Sequence, residues 1–151
     1  FCEQTEELFD HALDLNVKGS FMCCKYAVPG MLERKKGVIV NIASAAGVEG
    51  GGGGAAYTCS KHAVIGLTMQ ITAELGKNGI RANTVCPGLI KTGMVTDLLN
   101  NPDFMTAING TPAGRVGTVE DTTSLILFLA SDESSYIHGD TILIDGGLIV
   151  A

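Results

Sequence analysis

Residues 38–61 read VIVNIASAAGVEGGGGGAAYTCSK and carry the most informative pattern of the sequence. The stretch opens with a continuous β-branched run over 38–42, which is typical of a parallel strand covered on both faces. A loop over 45–54 follows, dominated by Gly50–Gly54, and helical periodicity returns over 57–76. The stretch therefore predicts a core strand, a glycine-rich connection and a helix.

The sequence on either side continues this alternation of helices and strands. An amphipathic helix is predicted over 5–28, ending near Pro29-Gly30, and a strand over 80–85, which Pro87-Gly88 stops. Residues 89–117 form a mixed loop and short-helix region of the kind that covers a substrate. A helix capped by Thr118 and a strand over 141–144 follow. This alternation implies right-handed crossovers and a parallel sheet. We expect an α/β fold: half of a Rossmann-type doubly wound parallel sheet, with three strands and flanking helices, as a single partial domain over 1–151. The outer edge of the first strand is expected to be unpaired.

Composition and charge restrict the class of function. The chain has 151 residues, 46% hydrophobic and 17% charged, with a formal net charge of -6, so it packs readily and offers no positive field to nucleic acid. No apolar run approaches the ~20 residues that cross a bilayer, so we expect no membrane association. Five cysteines without C-x-x-C spacing favour reduced thiols in a cytoplasmic protein over disulfides or a metal site.

Tyr57 and Lys61 are four residues apart at the start of a predicted helix, so their side chains lie on one face about one turn apart. A phenol with a reference pKa of about 10 is a poor acid-base catalyst at neutral pH. A neighbouring ammonium favours the phenolate and helps the group to exchange a proton with an alcohol or carbonyl oxygen. Taken alone, the spacing favours an ordinary structural pair on a solvated helix face.

Ser44 follows the predicted strand at the edge where open parallel sheets place their sites. Its hydroxyl is able to hold a substrate oxygen, although a serine after a strand is more often a turn residue. The whole combination is more specific: N-I-A-S ends one strand, Y-x-x-x-K begins thirteen residues after Ser44, P-G ends the second strand and I-D-G-G ends the last. Over essentially the whole chain, this combination resembles the short-chain dehydrogenase/reductase family.

The resemblance implies a reaction and roles for four residues. Tyr57 is similar to the family's catalytic acid-base, Lys61 to the residue that lowers the tyrosine pKa and binds the nicotinamide ribose, and Ser44 to the residue that orients the substrate carbonyl. Asn16 matches the family's helical asparagine that positions a water for proton relay; a buried asparagine in a helix kink is the alternative. The implied reaction is hydride transfer between NAD or NADP, with a slight preference for NAD, and a small-molecule secondary alcohol or ketone.

The segment after the second strand resembles the family's stretch that borders the nicotinamide and binds its carboxamide. The matching residues are Pro87, Gly88, Ile90 and Thr92. An ordinary strand-ending turn is the alternative for this segment. We expect no metal ligands, because His11 and His138 have no partners at ligand spacing and His62 is a neighbour of Lys61 on the helix.

The chain departs from the family pattern on its N-terminal side. The family's N-terminal half carries a glycine-rich turn, T-G-x-x-x-G-x-G, that places the cofactor pyrophosphate at a helix N-terminus, and the sequence contains no such turn. The chain thus resembles the C-terminal half of the family's sheet. We expect an oxidoreductase from the complete protein and little activity from this portion alone. A catalytically inactive half-domain with a structural or interaction role is the alternative.

Apolar residues on the two longest predicted helices extend beyond the stripe that one sheet covers. In the family, these two helices pair with their symmetry mates, and the last strand often makes a second contact. The resemblance therefore implies a homodimer or a homotetramer built on two-fold axes.

Overall fold

The computed structural model describes residues 1–150, apart from the side chains of Met94 and Ala107. Its α-helices are α1 (Glu6–Leu13), α2 (Gly19–Arg34), α3 (Gly54–Leu75), α4 (Thr96–Leu99), α5 (Pro102–Asn109) and α6 (Val119–Ala130). Its strands are β1 (Gly37–Ile42), β2 (Ile80–Pro87) and β3 (Thr141–Ile144). Helices and strands follow one another in the order that the sequence predicts.

The three strands form one parallel sheet in the order β1-β2-β3. Gly37 pairs with Ile80 at the start of β1, and Thr84 pairs with Thr141 where β3 begins. All three strands run in the same direction, so their carboxyl ends meet at one edge of the sheet. The predicted α/β fold with a three-stranded parallel sheet is confirmed.

A buried cluster joins α2 and α3 to one face of the sheet. Cys24 of α2 and Ile71 of α3 pack with Ile39, Ile80 and Ala82 of the strands. These strand residues share a face because successive side chains of a strand point to opposite sides. The long helices are therefore held on the sheet by apolar burial.

Arg81 points to the opposite face and anchors α6 there. Its side chain is buried, and its guanidinium donates to the carbonyls of Leu129 and Ser131 at 2.7 and 2.8 Å and to the hydroxyl of Ser134 at 2.8 Å. The carbonyls of a helix C-terminus lack partners within the helix and carry partial negative charge. A buried cation on β2 therefore fixes the C-terminal end of α6 against the sheet.

The N-terminal helix differs from the prediction of a single helix over 5–28 that ends near Pro29-Gly30. A π-helical segment, Asp14–Lys18, separates α1 from α2, and α2 continues through Pro29 to Arg34. Lys35, with a left-handed φ of 51°, ends the helix. The predicted end was wrong because residues after Pro29 pack against the buried cluster, which outweighs the one hydrogen bond that a proline removes.

β1 has helices on both faces, as predicted, with α2 and α3 on one and α6 on the other, but it is less buried than a central strand. Within β1 only Ile39 is buried, whereas β2 is buried from Ile80 to Cys86. β1 lies at the edge of the sheet, and its outer side has no strand partner among residues 1–150. β-branched residues indicate a strand but do not show whether it lies at the centre or the edge. The predicted unpaired edge is present.

Residues 89–117 leave the sheet edge after β2 and return to it before α6. Ile90 and Gly117 form an isolated parallel bridge at the base of this segment. Arg115 donates to both carboxylate oxygens of Asp121 at 2.7 and 2.9 Å, and these hydrogen bonds are the main cause that lowers the pKa of Asp121. Thr118 and Asp121 form a capping box at the start of α6, as the sequence predicts for Thr118.

Among residues 1–150, no helix combines the length and apolar composition that crossing a bilayer requires. No group of three or more His, Cys, Asp or Glu side chains among them converges to hold a metal ion.

Candidate functional site

A cavity of about 410 Å³ opens at the carboxyl edge of the sheet, beside the ends of β1 and β2. Ser44, Glu49, Tyr57 and Gly88 line it together with apolar side chains from the segments after both strands and from Leu148. Open parallel sheets place their ligand sites outside this edge. Two predicted site residues with hydroxyl groups therefore meet in one cavity where the fold class places a binding site.

Tyr57 lies in the first turn of α3, which begins at Gly54, three residues before the predicted start. The preceding Gly53 has a φ of 80°, and a Cβ on it would lie 2.7 Å from Cδ1 of Tyr57. Glycine is required at Gly53 both for the left-handed backbone and for the close approach of the tyrosine ring. The periodicity of the sequence missed this start because its Gly-Ala-Ala segment has no polar and apolar faces to compare.

Lys61 lies one turn further along α3. Its Nζ atom is 5.5 Å from the centroid of the Tyr57 ring and donates a hydrogen bond to the carbonyl of Ile42 at 3.2 Å. Burial lowers the pKa of Lys61 because the charged form loses hydration, and nearby Cys86 acts in the opposite direction. The structure places the two side chains together, as their spacing predicts, and anchors the ammonium to the end of β1.

Ser44 is a turn residue, as one of the two interpretations of the sequence has it, and it also lies in the cavity wall. It precedes a single 3-10 turn, Ala45–Gly47, and its hydroxyl accepts a hydrogen bond from the N–H of Ala46 at 3.2 Å. The same side chain lines the cavity. A hydroxyl that accepts this bond keeps its own O–H to donate to a bound oxygen.

Asn16 lies in the π-helical segment rather than in regular helix. Its side-chain amide donates to the Ser60 hydroxyl at 2.9 Å, and Ser60 donates to the carbonyl of Tyr57 at 2.8 Å. π-turns occur frequently at functional sites, where they reposition a side chain. The structure thus links Asn16 to the backbone of Tyr57 through Ser60 and not by a direct bond to the phenol or to Lys61.

Besides Tyr57 and Lys61, four residues at the end of β2 and after it are predicted to bind the cofactor, and these four separate in space. Pro87 ends the strand, and Gly88 lines the cavity. A Cβ on Gly88 would lie 2.7 Å from Cβ of Asp145, so the close approach of the two strand ends requires glycine. Ile90 and Thr92 line two neighbouring depressions and not the cavity itself.

Four residues around the site were not identified from the sequence: Gln4, Glu49, Ser60 and Cys86. Ser60 and Cys86 are fully buried. Burial raises the pKa of the Cys86 thiol, and the hydrogen bond of this thiol with the Ser44 backbone partly offsets that effect. Ser60 carries a usable signal, because a serine three residues after Tyr57 on a helix is able to bond its carbonyl. Gln4 carries none, since it contacts a helix 50 positions away along the chain.

Gln4 caps the helix that carries Tyr57 and Lys61. Its Oε1 accepts from the N–H of Ala56 at 3.0 Å, while the N-cap residue Gly53 has no side chain to do so. We expect Gln4→Ala to lower the free energy of unfolding by about 1 kcal/mol, the usual effect of losing a cap. Chemical denaturation measures this effect. Gln70→Ala, at an exposed position in the last two turns of α3 where the side chain bonds only Glu74, is the control, and an equal loss in both variants would contradict the capping role.

The site has the groups that a nicotinamide-linked alcohol chemistry needs from a protein: a phenol, an ammonium and a hydroxyl. Lys61 uses one N–H on Ile42, which leaves two for a bound ribose. Residues 1–150 provide no glycine-rich turn of the T-G-x-x-x-G-x-G kind to meet a pyrophosphate. The residues present therefore fit the nicotinamide end of the cofactor.

The chain is similar to known proteins over nearly its whole length. The family model described as enoyl-(acyl carrier protein) reductase matches residues 1–149. The chain is 43% identical over 145 residues to the 3-oxoacyl-(acyl-carrier-protein) reductase of Thermotoga maritima. The matched region covers 96% of this chain and 58% of that protein. It therefore spans less than two thirds of the length of this relative.

Solved structures of whole dehydrogenases superpose closely on the chain. A 4-hydroxyisoleucine dehydrogenase mutant complexed with NADH and succinate is 35% identical with a TM-score of 0.94, covering 99% of this chain and 63% of that one. A gluconate 5-dehydrogenase from Burkholderia cenocepacia in complex with NADP and tartrate is 30% identical with a TM-score of 0.94, covering 99% and 59%. On these matches, the chain belongs to the short-chain dehydrogenase/reductase family.

Proposed function

We propose that the complete gene product is a nicotinamide-dependent oxidoreductase that interconverts a secondary alcohol and the corresponding ketone. The observation that carries the proposal is that Ser44 and Tyr57 line one cavity at the carboxyl edge of the sheet, with the Lys61 ammonium beside the Tyr57 ring. Membership of the family and the dehydrogenase and reductase names of its relatives support the reaction class. The residue roles below are part of the proposal.

In the proposed reaction, the hydroxyl of Ser44 donates a hydrogen bond to the substrate oxygen and holds it near the phenol of Tyr57. During alcohol oxidation, the Tyr57 phenolate accepts the hydroxyl proton of the substrate as its C–H bond breaks. The nicotinamide cofactor, when bound, accepts the hydride, and in the reverse direction it supplies one. Tyr57 then holds the proton that the next cycle must remove.

Lys61 favours the phenolate through its positive charge and binds the ribose with its remaining N–H groups. Its bond to Ile42 fixes the ammonium beside the Tyr57 ring. Asn16 positions a water that returns the proton to solvent, and its bond to Ser60 holds the π-turn against α3. The cofactor is NAD or NADP: solved relatives hold NADH in one case and NADP in another, and we retain a slight preference for NAD.

The proposal is tested by steady-state oxidation of small secondary alcohols by the complete gene product, with NAD and NADP supplied separately and reduced nicotinamide followed by absorbance. We expect turnover with one of the two cofactors and its loss in Ser44→Ala. Ser124→Ala, at an exposed position on α6, is the control. Absence of turnover with both cofactors, together with no change in NADH fluorescence on mixing, would favour a structural or interaction role for the half-domain instead.

We propose the cytoplasm as the location of the protein. All five cysteines, Cys2, Cys23, Cys24, Cys59 and Cys86, are free thiols in the described part of the chain. Free thiols in this number suit a reducing compartment.

We further propose a homodimer, or a homotetramer if the edge of β3 makes a second contact. Large apolar side chains of α1, the π-segment and α2 are exposed: Leu8 is 51%, Leu15 65% and Phe21 45% accessible. Met69 on the adjoining α3 is 52% accessible. Leu13, Val17, Phe21 and Leu67 line a groove between these helices together with the ion pair of Asp14 and Lys18. Exposed apolar side chains grouped on one surface favour a protein–protein interface there.

Sedimentation velocity of the complete gene product checks the assembly. We expect a dimer or tetramer at micromolar concentration and its dissociation by Phe21→Glu, because a charge in an apolar interface loses its hydration. Leu127→Glu, on the exposed side of α6 with 70% accessibility, is the matched control. A well-behaved monomer of the unsubstituted protein would refute the assembly.

A further inference from the structure

We propose that the cavity beside Ser44 and Tyr57 takes an uncharged, largely apolar secondary alcohol or ketone, and that Glu49 excludes substrates with an anionic group. This inference deepens the proposed function and rests on it for the reacting group. The composition of the cavity wall carries it. Six of the lining residues are apolar: Ala45, Ala46, Leu89, Val95, Leu98 and Leu148.

Only three side chains in the wall offer polar groups. The hydroxyls of Ser44 and Tyr57 suit the single oxygen of an alcohol or ketone. Glu49 contributes the one charged group, and no lysine, arginine or histidine among the described residues lines the cavity. A few polar groups in an otherwise apolar cavity indicate a ligand with one polar end and an apolar body.

Three cationic side chains of the chain, Lys61, Arg115 and Lys91, lie outside the cavity wall. Lys61 donates to the carbonyl of Ile42 behind the tyrosine ring and does not line the cavity. Arg115 lines a neighbouring depression, where both carboxylate oxygens of Asp121 occupy its guanidinium. Lys91 lines another depression beside Thr92. A substrate carboxylate or phosphate in the cavity would thus lose its hydration without gaining a cationic partner.

The Glu49 carboxylate also repels an anionic substrate directly. Two like charges at contact distances repel, although exposure of Glu49 to solvent screens the effect. The formal net charge of -6 gives no long-range field that attracts an anion. The apolar wall therefore selects the body of the substrate, and Glu49 selects against its charge.

Three ligands of nearly equal shape test the inference: 4-methylcyclohexanol, 4-hydroxycyclohexanecarboxylate and 4-aminocyclohexanol. Their kcat/KM values with the complete gene product and saturating cofactor are the first readout. Their affinity, by ligand-detected NMR without cofactor, is the second. We expect the methyl compound to exceed the carboxylate by at least about tenfold in both readouts, because the carboxylate loses hydration without compensation.

Substitution of Glu49 separates repulsion from apolar selection. We expect Glu49→Gln to lower the ratio of kcat/KM for the methyl compound to kcat/KM for the carboxylate by about fivefold. Glu49→Lys should lower this ratio further and weaken binding of the amine. High salt should lower the same ratio in the unsubstituted protein but not in Glu49→Gln, because salt screens the charge of Glu49. Glu120→Gln, in the first turn of α6 and outside the cavity, is the matched control.

The outcomes distinguish this inference from the proposed function. Equal use of the carboxylate and the methyl compound would overturn the inference while leaving the oxidoreductase intact. The expected order of affinities without any turnover would uphold the inference and reject the proposed reaction. If Glu49→Lys preferred the methyl compound over the carboxylate as strongly as the unsubstituted protein does, Glu49 would have no role in excluding anionic substrates.

Discussion

Tyr57→Phe in the complete gene product is expected to lower kcat by roughly 10²–10⁴-fold, the range that general acid-base catalysis contributes. The substitution removes the phenolic oxygen, which is the proposed proton-transfer group, and almost no volume. The aromatic ring remains against Gly53 and beside Lys61, so the first turn of α3 keeps its packing. Cofactor affinity should therefore change little, and steady-state kinetics with a separate NADH titration measures both quantities.

The control for this substitution is Tyr136→Phe, because Tyr136 is fully exposed and lies outside the cavity. It should keep the activity of the unsubstituted protein. If Tyr57→Phe retained kcat within about threefold of that activity, the phenol would supply no proton transfer and Tyr57 would only pack against its neighbours.

Lys61→Ala is expected to reduce both turnover and nicotinamide binding, in contrast to Tyr57→Phe. The ammonium has two proposed functions, since its charge favours the phenolate and its N–H groups hold the ribose. Loss of the charge should lower kcat, and loss of the N–H groups should lower the affinity for NADH, each on the order of tenfold or more. The kcat should fall, and the dissociation constant for NADH should rise in the same variant.

The pH profile of the residual activity separates an electrostatic role of Lys61 from a structural one. The substitution removes a positive charge that favours an anionic base beside it, so the optimum for alcohol oxidation should move to higher pH. Lys61→Met, which keeps most of the apolar stem, should show the same displacement, and Lys77→Ala, on the exposed turn after α3, should show none. An unchanged profile in both Lys61 variants would remove the electrostatic role.

The contrast between β1 and β2 shows what residue patterns report. Both segments are rich in β-branched residues, and both form strands where the sequence predicts them. Burial depends on neighbours that lie far away along the chain, so β1 is half-exposed at an edge while β2 is enclosed by two strands and helices on both faces. Likewise, Pro29 is compatible with a helix because the turn after it packs against the sheet.

The class of fold, the order of its elements and the pair formed by Tyr57 and Lys61 could be predicted from the amino-acid sequence. These features depend on local periodicity and on residues four positions apart, which a helix brings together regardless of its surroundings. The cap that Gln4 places on α3, the link from Asn16 through Ser60 and the presence of Glu49 in an apolar cavity became visible only in the folded chain. Each of these depends on contacts between distant segments, whose free energy comes from packing that no local pattern records.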